Sequence, residues 1–117
     1  MEKKEIQKLP AGITQDMVNA AKAKWPKTGA VITAELERDD SDEILEVLIR
    51  RPDRSVMSEY SKWSDKSPKK ADDILVKNCL LSHKDEVTAE DAEDLFMGAI
   101  DAISQTIVVR KAKIKNI

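Results

Sequence analysis

The sequence predicts a single small α+β domain, an antiparallel β-hairpin packed against about four α-helices that form one layer on it. Three observations carry this. Residues 30–37 and 44–51 alternate apolar and polar side chains with period two, four other segments repeat their apolar residues at helical spacing, and turn-type residues punctuate the junctions. At 117 residues with 41% hydrophobic content, the chain is long enough to bury a core without disulfides or metals. The 36% of charged residues are then expected on solvated faces.

Residues 1–12 read as a flexible, charged lead-in, with Pro10 holding its end out of helix. The domain proper is expected over 13–110. Thr14 is placed to cap a first helix with Met17, Val18, Ala21 and Trp25 at helical spacing, and Pro26 and Gly29 end it. In the first strand Ala30, Ile32, Ala34 and Leu36 share a face. In the second, Leu45, Val47 and Ile49 lie opposite Ile44, Glu46, Leu48 and Arg50. The Asp- and Ser-rich residues 38–42 make the simplest connection a hairpin.

Pro52 stops the second strand and Asp53 caps a helix that carries Val56, Met57, Tyr60 and Trp63 on one side. Ser67 followed by Pro68 starts a third helix, expected to run through Leu81, with Ala71, Ile74, Leu75, Asn78 and Leu81 as its stripe. Val76, Cys79 and Leu80 make its last turns apolar nearly all round, which predicts that this half is central. After a polar turn over 82–86, Thr88 and Asp91 have the spacing of a capping box for the final helix. That helix has Leu95, Phe96, Ala99, Ile100, Ile103 and Ile107 on one face. Gly98 interrupts it at a cost of about 1 kcal/mol relative to alanine, which suggests the close approach of another backbone. Residues 111–117 form a basic tail.

The formal net charge is −2, so the domain as a whole does not attract nucleic acid or anionic lipid. The first residues lack the apolar stretch of a signal peptide and no segment has the length of a membrane span. With one cysteine, this predicts a cytoplasmic protein that makes no membrane contact. Cys79 and His83 are spaced to face one metal ion on a helix, yet two ligands fall short of a structural zinc and no other His or Cys exists. Asp39, Asp40, Asp42 and Glu43 lack the glycine and the distant glutamate of a calcium loop. No glycine-rich loop cradles a phosphate, and no catalytic, metal or cofactor site is expected. Protein interaction is assigned instead to Arg50, Arg51, Tyr60 and Trp63, the aromatic pair on one helix face being of the type enriched at interfaces. The arginines around Pro52, with Lys69, Lys70 and the C-terminal lysines, are a weaker candidate for phosphate contact, since acidic residues lie close to all of them.

The run Leu48-Ile49-Arg50-Arg51-Pro52-Asp53-Arg54, followed by Met57 and by residues 73–81 with their Leu-Val-Lys-Asn-Cys-Leu-Leu segment, resembles the tail assembly chaperones of long-tailed bacteriophages. The likeness extends over 30–107 in element order. It implies a non-enzymatic protein that self-associates and coats an apolar, helical tape measure protein. Members of that group often carry glycine in the turn after the Leu-Leu pair, where Ser82-His83 stands here. An adaptor or structural subunit of a bacterial complex, and a nucleic-acid-associated regulator, are the alternatives.

Overall fold

The computed structural model describes residues 9–27, 29–39, 41–107 and 114–116. The element order is α1 (Gln15–Lys24), β1 (Val31–Glu37), β2 (Ile44–Arg50), α2 (Arg54–Ser64), α3 (Pro68–Cys79), α4 (Lys84–Val87) and α5 (Glu93–Gln105). This is the expected α+β hairpin fold. Most of the 1–12 lead-in and most of the basic tail lie outside the described residues.

Local chemistry sets the helix starts where the residue types place them. Thr14 Oγ1 accepts the Met17 N–H at 3.1 Å, Asp53 Oδ1 accepts that of Val56 at 3.0 Å, and Ser67 Oγ that of Lys70 at 3.4 Å. Pro68 occupies the first turn of α3, where its missing N–H costs nothing. The strands pair antiparallel from Val31 opposite Arg50 to Glu37 opposite Ile44. Leu36, Val47 and Ile49 join Val56, Leu75, Val76, Cys79, Leu80, Leu95, Ala99 and Ile103 in one buried cluster. α3 and α5 thus close one face of the hairpin, and the central position expected for the end of α3 is what the cluster shows.

Four expectations are corrected. Leu48 and Arg50, on the outer side of β2, are 2% and 6% exposed, because α1 and its Trp25 lie over them; the continuous run of burial along the end of β2 is that of a strand covered on both faces. α3 stops at Cys79 instead of Leu81. Leu80 and Leu81 continue extended and pair with β2, Leu80 bridging Ile49 and the Leu81 N–H donating to the Leu48 carbonyl at 2.8 Å. The Thr88–Asp91 box does not form: Thr88 ends α4, its hydroxyl donating to the Lys84 carbonyl at 2.6 Å, and α5 starts five residues later at Glu93 behind buried Ala92. Val87, fully buried, is what holds the short α4 in place. Gly98 meets no backbone; a Cβ there would lie 3.5 Å from Leu36 Cδ2, an ordinary contact.

The turn after α3 is polar and internal. Ser82 is buried, and its hydroxyl accepts the Leu48 N–H at 2.8 Å and donates to His83 Nδ1 at 2.7 Å. His83 Nε2–H then donates to the Ala11 carbonyl at 2.9 Å, which fixes the tautomer. His83 adopts a left-handed backbone, φ 54°. Gly12 lies under this ring with φ 85°, and any side chain there would collide with it.

Candidate protein-binding site

Arg50 leaves the outer face of β2 and is enclosed. Its Nε donates to the Asn78 carbonyl at 2.8 Å, just before the end of α3. One terminal nitrogen reaches Asp53 Oδ2 at 3.4 Å, and the guanidinium lies 4.3 Å from the centre of the Trp25 ring. The Val56 N–H, followed by the Arg50 charge, holds the Asp53 carboxyl below its ordinary range against some desolvation. Arg50 therefore ties α1, β2, α2 and α3 together. Arg51 continues the sheet, its N–H donating to the Ala30 carbonyl at 2.7 Å, and lines a small cleft with Trp25 and Pro26.

Tyr60 is half-buried against the core cluster. Trp63 is half-buried with the Lys70 ammonium 3.7 Å above its ring, so α2 and α3 use both aromatics to pack on each other. The four residues assigned from sequence are divided between the Trp25 corner and the α2–α3 seam and form no common surface. Cys79 is fully buried and burial pushes its thiol up to about 11, while both ring nitrogens of His83 are engaged. Among the described residues no group of three or more His, Cys, Asp or Glu is arranged to hold a metal ion. No helix among them is long and apolar enough to cross a membrane.

A further candidate surface lies elsewhere, between β1 and α5. It is an open groove of about 890 Å³ with Ile32, Ala34, Leu36, Met97 and Ala102 among its apolar lining. Ile32 and Met97 are 36% and 49% exposed, two of the four large apolar side chains so exposed among the described residues. Its charged lining is acidic throughout: Glu35, Glu37 and Asp39 from the strand side, Glu93, Asp94 and Asp101 from α5. Asp94 joins the two walls, its Oδ2 accepting the Asp39 N–H at 2.8 Å, and this bond above all holds its carboxyl below the usual range.

The groove also follows an open sheet edge. β2 has β1 on one side and residues 80–82 on the other, whereas β1 has β2 alone among the described residues. Leu48 turns its N–H to Ser82 and its carbonyl to Leu81, both away from β1. Alternation along an antiparallel ladder then directs the N–H and C=O of Val31, Thr33, Glu35 and Glu37 outward, unpaired. The sequence signals for this site were present: Ile32 on a strand's core-side face and Met97 beside Gly98. Only the packing of α5 along β1 brings them together. Neither a protein-family model, nor a curated protein, nor a solved structure matches the chain.

Proposed function

We propose that the chain is a non-enzymatic protein-binding module of the tail assembly chaperone type, and that the β1–α5 groove receives its client, an apolar helical protein of the tape measure kind. The observation that carries this is the groove itself, an apolar floor with exposed Ile32 and Met97 beside the acidic residues Asp39, Glu93, Asp94 and Asp101. An apolar centre with a charged rim suits a reversible protein contact that a later partner displaces. Two further points support the reading. His83 holds the left-handed conformation that glycine favours, so a glycine would suit this turn. Arg50, the centre of the resemblance, is a structural tie, which suits a motif specifying a fold instead of a contact. Among the described residues, the acidic groove and the enclosure of Arg50 favour a protein partner over nucleic acid.

The test is co-expression with a phage tape measure protein. The client is expected to become soluble and to co-purify, and Met97→Glu, at an exposed position, is expected to abolish co-purification while leaving the domain folded. A client that remains insoluble, or one that Met97→Glu retains as well as the native chain, would overturn the proposal.

A further inference from the structure

A second cleft, of about 350 Å³, opens at the corner where the end of α1 meets the junction of β2 and α2. Its charged lining is Lys24, Lys27, Arg51 and Arg54 against a single acid, Asp53. That acid is already engaged: its Oδ1 accepts the Val56 N–H at 3.0 Å and its Oδ2 faces Arg50 at 3.4 Å. Among the described residues, the side chains of Lys27, Arg51 and Arg54 take part in no ion pair. Between the cations the walls are apolar, formed by Pro26, Pro52 and buried Ala30. Bonds that leave the cationic heads untouched fix these walls. The Arg51 N–H donates to the Ala30 carbonyl at 2.7 Å, the Ala30 N–H to the Lys27 carbonyl at 3.0 Å, and the Trp25 N–H to the Ala21 carbonyl at 2.9 Å. An anion therefore meets preorganised walls and breaks no ion pair on entering.

We propose that this cleft is a docking site for an acidic segment of a partner protein. Carboxylates of the segment meet Lys27, Arg51 and Arg54, and an aliphatic side chain between them enters beside Pro26 and Pro52. Charge complementarity selects this occupant: arginine forks match carboxylate geometry, and the volume admits a few side chains. A nucleic-acid strand fits less well. Its bases need an open aromatic face, whereas the Trp25 ring already carries the Arg50 guanidinium at 4.3 Å and the Lys24 ammonium at 5.7 Å. The net charge of −2 gives a long polyanion no wider attraction, while a short acidic segment needs only the local cations. The cleft shares no lining residue with the β1–α5 groove, so the chain offers two surfaces of opposite charge to two different partners.

The experiment is fluorescence anisotropy on the full chain with three labelled probes: a short peptide of glutamates around one leucine, the same peptide with glutamine for glutamate, and a single-stranded oligonucleotide of equal charge. The glutamate peptide is expected to bind saturably, more tightly than the other two, and to weaken as salt rises. Arg51→Gln/Arg54→Gln should weaken it about ten-fold, and Lys27→Gln by a smaller factor, each with native circular dichroism. Lys66→Gln/Lys69→Gln removes the same charge from exposed positions beyond the far end of α2 and should bind as the native chain does. Should the double arginine variant unfold, Lys27→Gln and the three probes still decide. Absent or unsaturable binding of the glutamate peptide, equal binding of the glutamine peptide, tighter binding of the oligonucleotide, or equal losses in the two paired variants would each overturn the proposal. Client binding in the β1–α5 groove is read separately, by co-purification, and either result stands without the other.

Discussion

Arg50 shows how a single side chain can be read correctly as special and wrongly as exposed. Its guanidinium bonds a carbonyl of α3, approaches the Asp53 cap and stacks on Trp25, three contacts whose geometry depends on a planar fork. Arg50→Met should cost about 2 kcal/mol, because a part-buried carbonyl loses its donor and the ring loses its cation. Arg50→Lys should recover less than half of that, as urea unfolding will show. At Gly98 the sign reverses. The helix is regular there and a methyl group fits beside Leu36, so Gly98→Ala should stabilise by up to about 1 kcal/mol, seen as a higher thermal midpoint. Cys79 should resist thiol reagents near neutral pH until denaturant is added. Its thiol is raised in the fold, so the folded state holds its proton longer than the unfolded one. Stability should accordingly be intact below the ordinary thiol pKa and fall as pH climbs from about 9 toward 11.

At the scale of elements, α5 is fastened to β1 at one end by the bond from the Asp39 N–H to Asp94. The Asp94 carboxyl is held low by that bond, so its contribution is complete above the ordinary carboxylate range. It fades as pH falls and the group takes up a proton. Native-state amide exchange at Asp39 should therefore quicken in acid, and Asp94→Asn should remove most of that pH dependence. The elements themselves were legible because their signals are local: Thr14, Asp53 and Ser67 cap where their side chains can bond, and Pro26 and Pro52 stop what precedes them. The start of α5 was not legible. Thr88 has the residue type of a cap, but burial of Val87 and Ala92 spends the intervening residues on α4 and a turn. In the same way Leu80 and Leu81 keep a helical pattern in sequence and leave the helix because β2 offers them a ladder.

Among the described residues the aromatic side chains lie largely inward, and acidic residues of β1 and α5 line one groove. Tyr60 and Trp63 read from sequence as interaction residues, and what they pack on was not legible, since an aromatic stripe looks the same whether it meets a neighbouring helix or a partner. The groove depended on tertiary structure, because Ile32 and Met97 come to line one groove only when α5 lies along β1. Its proposed role as the client site is tested most directly by mapping amide and methyl shifts by nuclear magnetic resonance as a tape measure segment is titrated into the native chain. The account predicts that Ile32, Glu35, Met97 and Ala102 shift on binding and that Tyr60 and Trp63 stay in place. Shifts centred on Tyr60 and Trp63, with the β1–α5 groove silent, would contradict it.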